Sequence, residues 1–218
     1  MFISLEGIEG CGKTTQIRQL SSYLEQKGHP HIVTREPGGT AIGEKIRSIL
    51  LDPASKDLVP TAELLLYMAD RAQHINELIK PGLAEGKIVM CDRYFDATTV
   101  YQGFARGLDT RFILDLHRVL FQDLKPDLTL LLDLPPRLGL ARAWQELDSG
   151  SRCGTESRFE EEAIHFHEKV RQGYLELARL EPKRFKVIDA SRPVHEVQSD
   201  IRGVLVPLLD SSGRDGII

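Results

Sequence analysis

The chain has 218 residues, of which 41% are hydrophobic and 28% are charged. These values are typical of one globular domain with a full core, and they hardly leave room for two domains. The formal net charge is −4. The chain therefore lacks an overall electrostatic attraction for nucleic acid or anionic membranes, and we expect neither as a partner. Any phosphate group that it binds must be held by local features.

The cysteines and the apolar segments predict a cytoplasmic location. The three cysteines, Cys11, Cys91 and Cys153, have no C-x-x-C spacing, and an odd number argues against a disulfide framework. Met1 leads straight into an apolar strand pattern, so no signal peptide is predicted. No apolar run approaches the length that crosses a bilayer.

Short apolar runs alternate with helical patterns along the chain. The predicted strands are 2–5, 31–34, 88–91, 128–134 and 185–188. After a first helix that ends near Gly28, the predicted helices lie near 41–51, 61–79, 110–122, 136–147, 160–180 and 194–209. Continuously apolar strands indicate a sheet covered on both faces, and the alternation indicates parallel strands. We therefore predict an α/β fold with a doubly wound, five-stranded parallel sheet over residues 1–209, followed by a flexible polar tail at 210–218.

The first strand and helix are joined by a segment that satisfies the pattern G-x-x-x-x-G-K-[ST]. Its glycines let backbone N–H groups surround a phosphate, and the helix N-terminus adds partial positive charge. A glycine-rich turn that matches by chance is the alternative, but the strand–loop–helix context favours nucleoside triphosphate binding. The predicted ATP-binding residues of this phosphate loop (residues 7–15) are Gly7, Ile8, Glu9, Gly10, Cys11, Gly12, Lys13, Thr14 and Thr15.

Two side chains of this loop have predicted roles of their own. Lys13 is expected to reach the β- and γ-phosphates, and the Thr14 hydroxyl is expected to hold Mg²⁺. Asp92, at the end of the third strand, is a candidate for a second contact to the same ion. An ion pair between Asp92 and Arg93 is the structural alternative.

Charged residues also follow the other strands, at the edge where parallel sheets bind ligands. Arg35 follows the second strand and Arg93 follows the third, and their planar guanidinium groups are suited to a second phosphate. Asp133 ends the fourth strand and is interpreted either as a charged site residue or as the N-cap of the next helix.

The long helix near 61–79 carries Tyr67, Arg71 and His74 at i, i+4 and i+7, beside a core face that includes Leu65 and Met68. An aromatic ring and a guanidinium on one stripe suit a flat base. The alternative, which the pattern alone favours, is the edge of an amphipathic helix.

Residues 148–158 break the regular alternation. The segment is rich in Gly and Ser, has no hydrophobic periodicity and contains Arg152 and Arg158. It is interpreted either as a mobile lid that carries arginines or as a solvated surface loop.

Several nucleotide-binding classes are disfavoured by missing motifs. Asn76 is the only asparagine and is followed by Glu77, so the N-K-x-D motif of GTPases is absent. The Leu-Ser-Gly-Gly-Gln stretch of ABC-type ATPases is also absent, and Asp133 lacks the second acid of motor-type ATPases.

Together these motifs resemble the thymidylate kinase family over residues 2 to about 205. Besides the phosphate loop, the resemblance rests on 34–40, 69–74, 92–94, 101–103, 126–130, 158–160 and 188–191. It implies the P-loop NTPase fold, a homodimer, and Mg²⁺-dependent phosphoryl transfer from ATP to dTMP. The alternatives are a kinase for another nucleoside monophosphate and a non-catalytic ATP-binding module.

The resemblance also implies a role for each substrate-binding residue. Glu9 contacts the 3′-hydroxyl of the deoxyribose and pairs with Arg93. Tyr67 stacks on thymine, Arg71 donates to a thymine carbonyl, and Tyr101 crowds the 2′ position of the sugar. The chain departs from the family in having Tyr67 where Phe is usual.

The remaining implied roles concern the phosphates and the base-reading loop. Arg35 and Arg93 hold the monophosphate, and Thr98 lies in a loop that helps to read the base. The phosphate loop has no arginine at 8–11, which is similar to the bacterial type, where the lid supplies the catalytic arginine. The predicted catalytic residues are Lys13, Arg93, Arg158 and Arg152, with Arg158 preferred because it precedes a predicted helix at 160 and with Arg142 behind them.

Overall fold

The computed structural model describes residues 1–149 and 156–212. Its five strands are β1 (Phe2–Glu6), β2 (His31–Arg35), β3 (Ile88–Asp92), β4 (Leu128–Asp133) and β5 (Phe185–Asp189). They form one parallel sheet in the order β2-β3-β1-β4-β5. The predicted five-stranded parallel sheet is confirmed.

Nine helices are described within these residues. They are α1 (Lys13–Gln26), α2 (Ala41–Leu50), α3 (Pro60–His74), α4 (Lys80–Ala84), α5 (Phe95–Thr98), α6 (Thr110–Phe121), α7 (Pro136–Asp148), α8 (Ile164–Leu180) and α9 (Val194–Ser212). A 3₁₀ turn covers Pro53–Ser55, and π-helical turns cover Ile75–Ile79 and Thr99–Ala105. Within this part of the chain, no helix is both long and apolar enough to cross a membrane.

Alternate residues of β3 pack into two separate cores, one on each face of the sheet. Ile88 and Met90 belong to a core that includes residues of α1, α8 and α9. Val89 and Cys91 belong to a second core that includes residues of α3 and α6. This alternation is the packing expected when helices cover both faces of a sheet.

The segment after β3 is helical over 95–105, which the sequence did not predict. Eight of the eleven residues of this segment are buried, including Phe95, Val100 and Tyr101. A helix buried on all sides shows no polar stripe, so hydrophobic periodicity cannot reveal it.

Two details of the predicted helices were wrong. The core face of α3 carries Leu64 and Met68, whereas Leu65 is 58% exposed, because Leu65 lies one residue further around the helix. The helix predicted from residue 160 begins at Ile164, because Ala163 is extended and serves as its N-cap.

Candidate active site

One cavity lies at the carboxyl edge of the sheet, where the segments after β1, β2 and β3 meet α3 and residues 156–160. Such edges are where parallel α/β sheets bind ligands. The predicted site residues that line it are Glu9, Gly10, Gly12, Lys13, Thr14, Thr15, Arg35, Tyr67, Arg71, Asp92, Arg93, Thr98 and Tyr101. The chain fold thus brings together residues that lie up to 92 positions apart.

The phosphate loop is held closely against α7. Gly10 has a φ of 65°, and a Cβ atom there would lie 2.0 Å from the carbonyl oxygen of Gly139, so only glycine fits. Gly12 precedes α1, whose first turn has no side-chain cap and no acidic residue. The N-terminal amides of α1 are therefore available to an anion at the cavity.

The side chain of Lys13 lies along the phosphate loop. Its Nζ donates to the carbonyl oxygens of Gly7 at 3.3 Å and Ile8 at 3.1 Å, and also contacts Cys11 Sγ at 3.6 Å. These contacts hold the ammonium group at the loop, and Lys13 as a residue is 8% exposed. Lys13 lines the cavity, while Gly7, Ile8 and Cys11 support the loop from behind it.

Thr14 and Asp92 form a pair of oxygen donors at the cavity. Thr14 Oγ1 lies 3.5 Å from Asp92 Oδ2, and both residues line the cavity. Among the described residues, no three His, Cys, Asp or Glu side chains come together as a metal cage. Two hard oxygen ligands beside a phosphate-binding loop fit Mg²⁺, which usually completes its shell with water and substrate phosphates.

Glu9 is the centre of a buried polar cluster. Its Oε1 accepts from Arg93 Nη2 at 2.9 Å and from the Tyr101 hydroxyl at 2.5 Å, and its Oε2 accepts from His167 Nδ1 at 3.1 Å. Burial alone raises the pKa of Glu9, but the Arg93 guanidinium, His167 and Lys13 outweigh it and hold this pKa well below its usual range. The carboxylate is therefore ionised at neutral pH.

Arg93 joins this cluster to the phosphate loop. Its Nη1 donates to the Gly7 carbonyl at 2.8 Å and contacts the Tyr174 hydroxyl at 3.3 Å. The guanidinium also lies 4.9 Å from the centre of the Tyr101 ring. Its ion pair is thus with Glu9; the alternative pairing of Arg93 with Asp92 is not observed among the side-chain contacts of Arg93.

A second buried cluster surrounds Glu36. Arg71 Nε donates to Glu36 Oε2 at 2.8 Å, His74 Nδ1 bonds Glu36 Oε1 at 2.9 Å, and Arg71 Nη2 donates to Thr98 Oγ1 at 2.9 Å. Burial favours a raised pKa for Glu36, but Arg71 and His74 lower it overall. Arg71 Nη1 is buried and has no hydrogen-bond partner among the described residues. A donor in this state at a cavity wall is available to a ligand.

The chain is similar to known proteins over most of its length. The family model described as thymidylate kinase matches residues 5–201. The thymidylate kinase of Desulfosudis oleivorans is 60% identical over 197 residues, which are 90% of this chain and 92% of that protein. The chain belongs to the thymidylate kinase family.

Two further relatives agree with this assignment. The thymidylate kinase of Desulforapulum autotrophicum is 56% identical over 201 residues, covering 92% of this chain and 88% of that protein. The crystal structure of thymidylate kinase from Ehrlichia chaffeensis superimposes with a TM-score of 0.73 at 33% identity, covering 94% and 97% of the two chains. The resemblance stated from the motifs and the P-loop NTPase fold are confirmed.

Arg158 does not have the surroundings predicted for a thymidylate kinase lid arginine. It is 5% exposed and does not line the cavity. Its Nη2 donates to Glu63 Oε2 at 2.6 Å and its Nη1 to the Leu50 carbonyl at 3.0 Å. Because α8 begins only at Ile164, the reason for preferring Arg158 was wrong. Arg152 lies outside the described residues and stays a prediction.

Three other predicted side chains have partners away from the cavity centre. Arg35 lines the cavity and donates to both carboxylate oxygens of Glu44, at 3.0 and 3.1 Å. Asp133 accepts two bonds from Arg171 at 2.7 and 2.8 Å and does not cap α7, so the N-cap interpretation was wrong. Arg142 donates to the Ala190 carbonyl at 3.1 Å.

Three residues that organise the site were not predicted as site residues. They are Glu36, Glu63 and His167, all buried. Glu63 accepts from Arg158, Gln102 and Arg106, which lie 95, 39 and 43 positions away. The only available signal was their charge within otherwise apolar helical stripes or their position after a strand, and neither signal identifies a partner.

Glu6, at the end of β1, should make stability depend on pH. Burial raises its pKa from 4.5 to about 8, and the Asp96 carboxylate acts in the same direction. Between these values the unfolded chain has lost a proton that the folded chain keeps. The contribution of Glu6 to the free energy of unfolding therefore falls as the pH rises from about 4.5 to 8.

Replacing Glu6 with glutamine should flatten the dependence of the free energy of unfolding on pH over this range, as measured by denaturant titrations at several pH values. The exposed control Glu25→Gln should keep the wild-type pH dependence. The wild-type pH dependence in Glu6→Gln would contradict this assignment.

Proposed function

We propose that this chain transfers the γ-phosphoryl group of Mg²⁺-bound ATP to dTMP, giving dTDP and ADP. Membership of the thymidylate kinase family supports the reaction. The observation that carries the proposal for this site is a single cavity with a phosphate loop on one wall and the Arg71–Glu36 cluster on the other. One wall suits a nucleoside triphosphate and the other suits a planar base with carbonyl groups.

The phosphoryl donor is assigned to the phosphate loop. The loop amides, the N-terminus of α1 and Lys13 supply positive charge to the β- and γ-phosphates. Thr14 and Asp92 are the residues that would hold Mg²⁺. The ion supplies charge neutralisation on the phosphate oxygens when it is bound. Alignment and charge neutralisation provide most of the catalysis in phosphoryl transfer.

The acceptor is assigned to the opposite wall. The free Nη1 of Arg71 donates to a thymine carbonyl, Tyr67 stacks on the ring, and Thr98 holds the Arg71 guanidinium in place. No general base is needed, because the phosphate of dTMP is already an anionic nucleophile at neutral pH.

The sugar and the acceptor phosphate are assigned to the Glu9 cluster and two arginines. Glu9 accepts from the 3′-hydroxyl, and the Tyr101 ring occupies the space that a 2′-hydroxyl requires. Arg35 and Arg93 hold the monophosphate; the Arg35 side chain is half-exposed, so it is able to exchange Glu44 for a phosphate. Deoxyribose is thus favoured by a steric conflict with ribose.

Substrate choice is tested by ADP release over a panel of nucleoside monophosphates. We expect the highest kcat/KM for dTMP. The free donor of Arg71 requires a base carbonyl, which adenine lacks, and the Tyr101 ring disfavours the ribose acceptors. The panel also contains five other nucleotides: the ribose counterpart of dTMP, and in addition dUMP, CMP, AMP and GMP. A comparable kcat/KM for CMP, AMP or GMP would refute the thymidylate assignment while leaving the fold intact. Absence of ADP release with every acceptor would indicate a non-catalytic ATP-binding module, whereas ADP release without acceptor phosphorylation would indicate an ATPase.

A homodimer is also part of the proposal, with α3 and α6 at the interface. Phe112 and Val119, two turns apart on α6, are 51% and 74% exposed, and Leu65 on the adjacent α3 is 58% exposed. Large apolar side chains that share one exposed face are typical of an interaction surface. Val119→Glu should give a monomer in light scattering after gel filtration, and Val187→Glu on the edge strand β5 should not. A wild-type monomer would refute the dimer.

A reducing cytoplasm is the proposed location. It is supported by Cys11 and Cys91, which are free thiols buried in the phosphate loop and in β3.

A further inference from the structure

His167 on α8 is a buried polar side chain to which the proposed reaction gives no role. It is 0% exposed, does not line the cavity, and packs at right angles to the Phe166 ring at 5.5 Å. Its Nδ1 bonds Glu9 Oε2 at 3.1 Å. A carboxylate accepts only, so Nδ1 carries the proton. Its Nε2 has no partner among the described residues, so the contact with Glu9 is its one polar interaction there.

The hydrogen bonds to Glu9 leave one acceptor position unused. A carboxylate offers about four lone-pair positions, two on each oxygen. Arg93 and Tyr101 occupy both positions on Oε1, and His167 occupies one on Oε2. Glu9 lines the cavity, so the fourth position is available to a hydroxyl donor there.

The position of His167 determines where that fourth position points. Arg93 and Tyr101 both bond Oε1, and among these contacts only His167 bonds Oε2 itself. The two bonds to Oε1 hold that oxygen in place, and without His167 the carboxylate is left to pivot about Oε1 through the side-chain torsions of Glu9. The hydrogen bond from His167 to the charged carboxylate opposes this pivot.

We infer that His167 is a positioning residue that orients Glu9 Oε2 toward the 3′-hydroxyl of the acceptor nucleotide. His167 acts through Glu9 and does not touch the substrate. The inference rests on the proposed function, in which Glu9 accepts from that hydroxyl, and it adds the residue that sets the direction of the acceptor lone pair.

The test compares the kcat/KM of His167 variants for two nucleotides that accept the phosphoryl group. One acceptor is dTMP, and the other is 3′-deoxythymidine 5′-monophosphate, which lacks the hydroxyl. His167→Phe keeps a ring and removes the donor, and we expect it to lower kcat/KM for dTMP on the order of tenfold while leaving the 3′-deoxy analogue within about twofold. His167→Asn places a donor at the same distance from Cβ as Nδ1, and it should restore most of the dTMP preference.

Control variants separate positioning from a general loss of packing. Val170→Ala removes buried volume one turn along α8 without touching Glu9, and it should change kcat/KM for both acceptors equally. Should His167→Phe unfold below the assay temperature, His167→Leu provides the same comparison. The inference would be overturned if a variant without the donor lowered kcat/KM equally for dTMP and for the 3′-deoxy analogue, or lowered neither. Equal kcat/KM values of the wild type for these two nucleotides would also overturn it.

Failure of the proposed function would give a different result. It would appear in the monophosphate panel as a preferred acceptor other than dTMP. The comparison at His167 is then made with that nucleotide and its 3′-deoxy form, where the same loss of preference supports the inference and an unchanged ratio refutes it.

Discussion

Replacing Lys13 with alanine should lower kcat by roughly 10²–10³ while the protein stays folded, because one preorganised charge is removed from the phosphoryl group in transfer. The Nζ of Lys13 is within hydrogen-bond distance of the Gly7 and Ile8 carbonyls, so the loop itself holds the ammonium group at the cavity. That charge is in place before the reaction begins. Its loss should affect kcat more than KM for dTMP, whose proposed binding place is the opposite wall.

The measurement is steady-state ADP release at saturating ATP, with thermal melting as the check on folding. Lys45→Ala, which removes an exposed lysine of α2, is the matched control and should retain wild-type turnover. Near-normal turnover by a folded Lys13→Ala protein would exclude the phosphate-loop lysine from the mechanism.

The parts of the site that were predictable from sequence are those whose signal is contiguous. The phosphate loop, its strand and its helix lie within residues 2–26, and the G-x-x-x-x-G-K-[ST] pattern between strand and helix specifies the loop. Asp92 and Arg93 were predicted at the cavity because parallel strands end at one edge, which the sheet order then confirmed. Here a local pattern and a topological rule sufficed.

The interactions that were not predictable join residues far apart in the chain. The spacing of Arg71 and His74 places them on one helical stripe, but nothing in that stripe identifies Glu36, 35 and 38 positions away, as their common partner. The pattern by itself favours a plain helix edge. Long-range burial decides such pairings, and burial is a property of the packed chain.

Arg158 shows how a local argument can mislead. Its position before a predicted helix favoured it as the anchored lid arginine, yet its guanidinium pairs with Glu63, which is 95 positions away and fully buried. A buried carboxylate requires donors, and Arg158, Arg106 and Gln102 supply them. The structure thereby gives Arg158 buried contacts with Glu63 and with the Leu50 carbonyl.

A large loss of kcat is therefore also expected when Arg152 is replaced. The phosphate loop contains no arginine, and the lid segment contains Arg152 and Arg158. Since Arg158 is held by Glu63 and the Leu50 carbonyl, Arg152 becomes the preferred candidate for the charge that the transition state requires. A catalytic arginine is worth roughly 10³–10⁵ in related phosphoryl transfers. Arg152→Ala should lower kcat strongly, with little change in melting temperature or in KM for dTMP.

Arg158→Ala should behave in the opposite way. Removing one partner of a buried ion pair typically costs about 3–5 kcal/mol of stability, and the two remaining donors on Glu63 should reduce that cost. We therefore expect a lower melting temperature, with a smaller loss of kcat than in Arg152→Ala. Arg179→Ala on the surface of α8, away from the proposed dimer interface, is the control for both variants.

The two arginine variants, their double mutant and the control are compared by kcat, KM and melting temperature under the same conditions. A strong loss of kcat in Arg158→Ala at an unchanged melting temperature would restore Arg158 as the catalytic arginine, because removing a buried guanidinium with a purely structural role lowers stability. Normal turnover in both single mutants and in the double mutant would make the lid a cover without a catalytic charge. That charge would then have to come from Arg142, whose Nη1 is engaged by the Ala190 carbonyl in this structure, or from another chain.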